Sequence, residues 1–410
     1  MQRQSHAHHY VPQWYQRRFL APGATGYFYL DLEPETVIHN GRSHQKRALL
    51  RWGPSQCFYL DDLYTLRFGR KTSDEMEKIF FGTVDTRGHD AVETFADYAG
   101  LSARAIDDFK YLVGYMGAQR FRTPRGLDEI KKRAVMGRRN PNAALIALQR
   151  IFQAYATMWT EGVWEFARAR NSPTKFIVSD NPVTFYCKLM FPSDWTYPND
   201  ANLKQIGTRT IFPMGPDCCL IITHLQLARN PWSTPTEHRE NARYYDETIK
   251  HLGDIQFGRE LEEDEVLRIN YILKRRATRY IAASNEEWLY PEKRASITEW
   301  HKLDDDWFLL PHLWKVSFTS EIMMGGENWA WGMDEYGRRA GHPHYRNKRM
   351  HERDWVTRQM AQRKWAKKRS GKSFAQIDRR EHGDVYDKMV EDFLRKEAEG
   401  TPQEEGRPLE

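Results

Sequence analysis

Three short polar motifs, far apart along the chain, hold the side chains best suited to chemistry. The first is a pair of histidines, His8 and His9, followed by Tyr-Val-Pro-Gln. A neutral imidazole accepts a proton near pH 7 or binds a transition metal. Neighbouring residues of a strand point to opposite faces, so we expect one of the two to act and select His9. A hydrogen-bonded His in an ordered N-terminal segment, or an exposed pair, explains the same residues.

The second motif is Ser179-Asp180-Asn181, which follows the apolar run Phe176-Ile177-Val178. A buried strand that ends in short polar side chains places them at the edge of a sheet, where functional sites often lie. Asp and Asn also form turns, and Pro182 prevents Asn181 from continuing into a helix. A purely structural turn is therefore the alternative.

The third motif is Gln119-Arg120, which precedes Arg122-Thr123-Pro124-Arg125 at the end of a predicted helix. A guanidinium group binds phosphate or carboxylate through two parallel hydrogen bonds. The helix dipole also favours arginine at helix C-termini, and we expect that role for two of these three arginines.

Metal binding is a further interpretation of the same chain. Asp85, His89 and Glu93 are spaced by four residues and share one face of a predicted helix. This spacing suits a metal ion, although exposed pairs four residues apart are much commoner. The sequence thus leaves open whether the protein binds a divalent metal ion. Its candidate ligands are His9, Asp85, His89 and Asp180.

Positive charge is concentrated near the C-terminus. The net charge is +6, but residues 338–372 contain thirteen Lys or Arg and only two acidic residues. Basic side chains beside aromatic rings are typical of segments that bind phosphate backbones and stack on bases. We expect nucleic-acid contacts from Arg338, Arg339, Arg346, Lys348, Arg349, Trp355, Arg363, Lys364, Trp365, Lys367, Lys368 and Arg369. A solvated helical face whose Trp rings dock onto the body, or an acidic protein partner, are the alternatives.

Composition and missing motifs narrow the class of protein. Of 410 residues, 40% are hydrophobic, which excludes disorder along the whole length. The longest apolar runs fall far short of the ~20 residues of a membrane-spanning helix, and the N-terminus lacks a secretory signal. The four cysteines have no CxxC spacing, so we expect reduced, buried thiols. Together with the short apolar runs, this predicts a cytoplasmic protein without membrane contact. The sequence also lacks the phosphate-binding loop, the dinucleotide-binding glycines and the nucleophile elbow, which disfavours the enzymes that use them.

Periodicity predicts an α+β fold, in which a helical first half packs on a small mixed or antiparallel sheet. Helices are predicted from Thr72, across 106–120, from Pro141 to Phe166 and across 262–274. Strands are predicted at 27–32, 56–66, 175–179, 210–212, 218–223 and 279–283. We divide the chain into a main domain, 1–315, and a basic, largely helical C-terminal extension with a frayed tail, 316–410.

Several of these motifs occur in one order that resembles the bacterial domain-of-unknown-function 4238 family. They are His9-Tyr10-Val11-Pro12-Gln13, Gln119-Arg120 running into Arg122-Thr123-Pro124, Ser179-Asp180-Asn181-Pro182-Val183 and Phe212-Pro213-Met214. The resemblance covers about residues 6 to 285, so the basic extension lies outside it. The family's acidic helix reads Ile-Glu where this chain has Val84-Asp85. The resemblance implies that the candidate site residues are His9, Gln119, Arg120, Ser179, Asp180 and Asn181.

These observations favour a phosphodiester-hydrolysing, nuclease-like enzyme, with a defence or toxin type among the options. His9 would be the general base or a metal ligand, oriented by Asp180. Asn181 and Arg120 would bind the phosphoryl group and neutralise its charge. One alternative is a non-catalytic nucleic-acid or protein-binding module whose polar motifs are buried networks. Another is an enzyme that hydrolyses a small nucleotide or phosphorylated substrate.

Overall fold

The computed structural model describes most of residues 7–333 and parts of 339–365. Undescribed residues within 7–333 are 40–41, 62, 64–65, 69–70, 74–81, 137–140, 193–198, 239–249, 251 and 317–321. The described positions beyond Met333 are 339, 341–343, 345, 347, 349, 353, 356–357, 359–361 and 363–365.

The N-terminal part of the chain is built of short strands and one short helix. These are β1 (Ala7–His9), α1 (Gln13–Arg17), β2 (Tyr27–Asp31), β3 (Thr36–His39), β4 (Arg42–Gln45), β5 (Leu49–Trp52), β6 (Tyr59–Asp61), β7 (Leu66–Phe68) and β8 (Lys71–Ser73). β1 pairs antiparallel with β6, while β3–β4 and β7–β8 form separate two-stranded pairs. α1 is held against the later sheet, because Arg18 Nε donates to the Met214 carbonyl at 2.6 Å.

A layer of helices follows. It consists of α2 (Gly82–Ala96), α3 (Ala103–Phe121), α4 (Pro124–Met136) and α5 (Pro141–Thr160). Ser102 caps α3, since its hydroxyl accepts a 3.1 Å hydrogen bond from the Ala105 amide. The turn from α3 to α4 requires glycine at position 126, because a Cβ there would lie 2.3 Å from the Arg120 carbonyl oxygen. This close approach sets α4 directly beside the end of α3.

The second half of the body contains the main strands and two helices. They are β9 (Val163–Arg168), β10 (Val178–Ser179), β11 (Thr184–Tyr186), β12 (Arg209–Gly215), β13 (Cys218–Thr223), α6 (Leu225–Arg229), β14 (Gln256–Glu260), α7 (Glu263–Arg276) and β15 (Tyr280–Ala283). α7 begins with a capping box, in which the Glu262 amide donates to the Glu265 carboxylate at 3.0 Å.

Two sheets form the centre of the body. The larger has the strand order β11-β12-β13-β9-β14 and is antiparallel except for β14, which runs parallel to β9. The other has the antiparallel order β10-β15-β2-β5. β2 and β5 thus complete a sheet with β10 and β15, which come from a distant part of the sequence.

Strand β13 shows how the layers stack. Leu220 and Ile222 belong to the apolar cluster that includes the buried side chains of α2, α3 and α5. Cys219 and Ile221 belong to a second cluster with the inward residues of α7. Successive side chains of a strand point to opposite faces. The five-stranded sheet is therefore covered by the helical layer on one face and by α7 on the other.

The described part of the C-terminal extension contains a hairpin and a later segment that contacts the body. It begins with an antiparallel hairpin, β16 (Ile322–Gly326) and β17 (Trp329–Met333). Further on, Ala361 and Trp365 are buried in a third apolar cluster together with Leu310 and Leu313. The described start of the extension is therefore a hairpin and not a helix. The sequence did not predict this hairpin.

The predicted α+β fold is confirmed, with helices beside mixed and antiparallel sheets. The four cysteines are buried and free, as predicted. Within the described part of the chain, no helix has both the length and the apolar character needed to cross a bilayer.

Some predicted elements were wrong. Thr72 lies in β8 opposite Arg67, because cross-strand pairing overrides a local capping pattern. α5 ends at Thr160, so Val163 and Phe166 lie on β9, not on the helix. Helix α4 was not predicted, and strands β1 to β8 precede the helices that were expected to fill the first half.

Candidate functional site

His9 lies at the start of a hydrogen-bonded row on the N-terminal segment. Its Nε2 atom is 3.4 Å from Nε2 of Gln13, and Oε1 of Gln13 accepts a 3.1 Å bond from Nη2 of Arg17. Pro12 precedes α1, so the helix begins at Gln13 and places Gln13 and Arg17 one turn apart on the same face. The row brings an imidazole, an amide and a guanidinium together.

The environment of His9 favours the neutral imidazole. Its side chain is half-buried, and its ring lies 5.6 Å from the ring of Tyr59, which is 40% exposed. Burial lowers the pKa of His9, and hydrogen bonding to the backbone at Ser55 and Pro54 opposes this only in part. Because the ordinary pKa is 6.5, His9 is neutral at pH 7 and can accept a proton. His8, its neighbour on β1, is fully buried.

The backbone beside His9 is strained. Phe58 precedes the strand that pairs with His9 and has a φ of 51°, in the left-handed region. Its carbonyl accepts a 3.1 Å bond from the Tyr10 amide, and its own amide donates to the Tyr29 hydroxyl at 3.3 Å. Such a conformation persists only where surrounding contacts hold it, and it is often found at functional sites.

Gln119 supports this segment from α3. Its Nε2 donates to the Tyr10 carbonyl at 2.9 Å, and its Oε1 accepts from Arg122 Nε at 2.7 Å. Arg122 also binds both carboxylate oxygens of Asp85, at 2.9 and 2.7 Å. Gln119 is fully buried and Arg122 is 1% exposed. These side chains therefore position the backbone next to His9 and do not face solvent.

Arg120 points to a different part of the body from Gln119. It is 2% exposed, its Nη2 donates to Glu129 at 2.9 Å, and its guanidinium lies 4.9 Å from the centre of the Phe185 ring. Adjacent positions on a helix are about 100° apart, so the two side chains diverge.

Two further arginines lie in the region of Arg120. Arg125 and Arg276 each donate to the Asp200 carboxylate, at 2.5 and 2.7 Å. Arg276, Arg125 and Arg120 together outweigh the burial of Asp200 and hold its pKa far below the ordinary value, so it stays ionised. Burial, followed by the nearby charge of Arg125, lowers the pKa of Arg276 to about 10.

Asp180 caps the connection between α7 and β15. Its carboxylate accepts three backbone hydrogen bonds, from the amides of Thr278 at 2.7 Å, Arg279 at 2.6 Å and Tyr280 at 2.8 Å. It is 2% exposed, and burial raises its pKa to about 6 in spite of these bonds. Both oxygens are therefore occupied by the turn, and neither contacts His9.

Ser179 and Asn181 are also buried, each 1% exposed. The Ser179 hydroxyl accepts a 3.3 Å bond from the Asn181 amide. Asn181 Nδ2 donates to the Arg276 carbonyl at 3.3 Å. The motif thus forms a turn that lies against the end of α7.

The predicted site residues fall into two groups. His9 and Gln119 are linked through Tyr10, whereas Arg120, Asp180 and Asn181 lie near Arg125 and Arg276. His9, Gln13, Arg17 and Tyr59 make no hydrogen bond, ion pair or ring contact with Arg120 or Asp180 among the described residues. The structure thus does not bring the imidazole, the guanidinium and the carboxylate into direct contact.

The candidate metal ligands are not grouped into a site, and several contact other side chains. Asp85 is paired with Arg122, and His89 packs edge-on against Trp14 at 5.0 Å. Across the residues described, no three His, Cys, Asp or Glu side chains are grouped as metal ligands.

The C-terminal residues predicted to bind nucleic acid are only partly described. Trp365 is 8% exposed and packs edge-on against His312 at 4.8 Å, so its ring is not available to stack on a base. The Lys364 ammonium lies 5.1 Å from the Trp307 ring centre. This docking agrees with the alternative of a basic face held on the body by aromatic contacts. Positions 338, 346, 348, 355 and 367–369 lie outside the described residues.

Some residues of both groups were not selected from the sequence. The spacing of four from Gln13 to Arg17 was a usable signal, because it places the two side chains one turn apart on the same face of a helix. Glu129, Asp200 and Arg276 gave no such signal, since they come from separate segments.

No family model matches this chain, and no curated protein or solved structure matches it. The resemblance to the domain-of-unknown-function 4238 family therefore depends on the motifs alone and remains a prediction.

Proposed function

We propose that this chain is a phosphodiester-hydrolysing, nuclease-like enzyme in which His9 is the general base. The observation that supports this most is the half-buried His9 imidazole, neutral at pH 7, in a row with Gln13 and the exposed Arg17. The Gln13 contact is long, at 3.4 Å, so a substrate hydroxyl or a water molecule can replace it as the partner of Nε2.

In the proposed reaction, His9 Nε2 takes the proton of an attacking hydroxyl or water. The oxygen forms a bond to phosphorus, the phosphorus bond to the leaving oxygen breaks, and that oxygen takes a proton from solvent. Arg17 neutralises part of the charge that develops on the phosphoryl oxygens. A positioned general base contributes about 10²- to 10⁴-fold in rate. The basic segment 338–372 would hold the polyanion.

The test is cleavage of end-labelled single- and double-stranded DNA and RNA by the full chain. We expect cleavage of at least one of these and a loss of about 100-fold or more in the His9→Ala variant. His301→Ala removes an exposed imidazole, 48% exposed, and should leave the rate unchanged. The absence of cleavage by the unaltered chain, or a normal rate with His9→Ala, would reject the proposal.

A second candidate function is a nucleic-acid or protein-binding module without catalysis. Its support is that Gln119, Arg120, Ser179, Asp180 and Asn181 are all 2% exposed or less. Residues so buried hold the fold more often than they touch a polymer. Saturable binding of the same oligonucleotides by the unaltered chain without any cleavage would favour this function over hydrolysis.

A further inference from the structure

Arg120 has two buried hydrogen-bond donors without an acceptor. Its Nη2 is bonded to Glu129, but Nε and Nη1 are inaccessible to solvent and have no hydrogen-bond partner among the described residues. Leaving donors of a charged group buried and unpaired is costly, so native proteins provide acceptors for them. An oxyanion suits these donors, because hydrogen bonds between a guanidinium and a charged acceptor are about twice as strong as neutral ones.

The surroundings of Arg120 contain further groups that suit an oxyanion. Arg125 and Arg276 come from α4 and α7 and meet at Asp200. Asn181, which contacts the Arg276 carbonyl, has a buried Oδ1 atom without a hydrogen-bond donor among the described residues. This oxygen can accept a hydroxyl proton of the same ligand.

The electrostatics agree with an anion at this place. Arg120 and Arg125 both act to lower the pKa of Arg276, which means that positive charge is crowded there. The cluster reaches the surface through Arg125, Glu129 and Asp200, whose side chains are 11%, 11% and 14% exposed. Arg120 itself is 2% exposed, so a small group can reach it more easily than the backbone of a polymer.

We propose that Arg120, with Arg125, Arg276 and Asn181, binds the terminal phosphate of a small phosphorylated molecule. We define these four residues as the arginine cluster. Phosphate supplies acceptor oxygens for the two unpaired donors of Arg120, Nε and Nη1, and its monoprotonated form also supplies a hydroxyl for Asn181. The site is separate from the row of His9, Gln13 and Arg17, with which Arg120 and Asn181 make no direct contact in the described structure.

The experiment measures the melting temperature and the binding heat of the full chain with inorganic phosphate and with glycerol 3-phosphate. Chloride at equal ionic strength is the reference. We expect both phosphates to raise the melting temperature and to bind saturably, because a ligand that binds only the folded state stabilises it. Oligonucleotides with and without a 5′-phosphate separate a terminal phosphate from a backbone phosphate, and only the phosphorylated one should bind at this site.

A matched pair of double variants assigns the binding to the arginine cluster. Arg120→Met with Glu129→Gln removes one buried ion pair as a unit and should weaken phosphate binding by about tenfold or more. Arg122→Met with Asp85→Asn removes the neighbouring, partly buried ion pair and should keep the affinity. If the first variant does not fold, Arg125→Gln takes its place. Arg125 lies where the arginine cluster reaches the surface, and this substitution should also weaken phosphate binding.

Two results would overturn the inference. One is the absence of saturable phosphate binding by the unaltered chain. The other is equal affinity in the Arg120 and Arg125 variants and in the Arg122 control. The inference fails or holds independently of the proposed hydrolysis, because His9→Ala should retain the phosphate-dependent rise in melting temperature even where cleavage is lost.

Discussion

The side-chain amide of Gln119 donates a 2.9 Å hydrogen bond to the carbonyl of Tyr10, the residue directly after His9. The same side chain accepts from Arg122, which in turn is paired with Asp85 on α2. A residue of α3 thus fixes the backbone of the N-terminal segment. Gln119 therefore positions His9 through the main chain and does not itself touch a substrate.

Replacing Gln119 with Ala should destabilise the fold. The change leaves the Tyr10 carbonyl and Arg122 Nε without these partners in a buried place, at a cost of about 1–3 kcal/mol for each group. Chemical denaturation measures the free energy of unfolding. Gln153→Ala, at an exposed position of α5, is the control and should change it little. Equal stability of the two variants would show that the network does not hold the segment.

Asp180→Asn should also destabilise the fold. An amide has one acceptor oxygen, whereas the carboxylate receives three backbone hydrogen bonds on two oxygens. At least one N–H group of this partly buried turn is therefore left without its acceptor, which costs about 1–3 kcal/mol. Denaturation curves check this, with Asp107→Asn, at an exposed position of α3, as the control. An Asp180→Asn variant as stable as the control would contradict the capping role.

The pH dependence of stability provides a separate check on Asp180. Burial raises its pKa from 3.8 to about 6, so the folded chain binds the proton more tightly than the unfolded chain. The contribution of Asp180 to the free energy of unfolding should therefore fall by about 3 kcal/mol as pH rises from about 4 to about 6. Above that pH its contribution should stay constant. Asp180→Asn lacks this component, so its cost should be larger at pH 4 than at pH 7. A cost that grows with pH would contradict the sign.

Trp365→Ala should loosen the C-terminal extension from the body. The ring is 8% exposed and lies among Leu310, Leu313 and Ala361, so its removal leaves a cavity that costs about 3–5 kcal/mol. Limited proteolysis should cut the extension faster in this variant. Exposed Trp329, 55% exposed, provides the Trp329→Ala control. Unchanged proteolysis with a loss of nucleic-acid binding would instead indicate a stacking role for Trp365.

Neutralising Lys367, Lys368 and Arg369 to Gln should flatten the salt dependence of nucleic-acid binding. Each ion pair with a phosphate that the substitutions remove should reduce the slope of log K against log salt by about one. The control removes three positive charges from exposed positions of the body, Lys110, Lys204 and Lys293. Equal slopes for the two triple variants would remove the proposed role of the basic segment.

The sequence predicted what depends on local pattern. The residues of α3 and α7 follow from apolar periodicity, so both helices lie close to their predicted positions. The break between α5 and β9 was missed, although Gly162 marks it. A Cβ at Gly162 would lie 2.6 Å from Ile222, a contact that only the folded sheet reveals.

The candidate site was less predictable, because it depends on contacts between distant segments. The sequence cannot show that Asp180 faces three backbone amides around Arg279, nor that Arg125 and Arg276 share Asp200. His9 could be selected because the protonation chemistry of an imidazole does not depend on the fold. Gln13 and Arg17 could be selected only if the start of helix α1 after Pro12 had been recognised.

The most direct test compares His9→Ala with Asp180→Asn in the cleavage assay, with the rate expressed per folded molecule at a temperature where both variants are folded. We predict that His9→Ala loses the activity while its melting temperature stays near that of the unaltered chain. Asp180→Asn should melt earlier and keep the rate. The reverse pattern, with an active His9→Ala variant and an inactive but fully stable Asp180→Asn variant, would contradict this account.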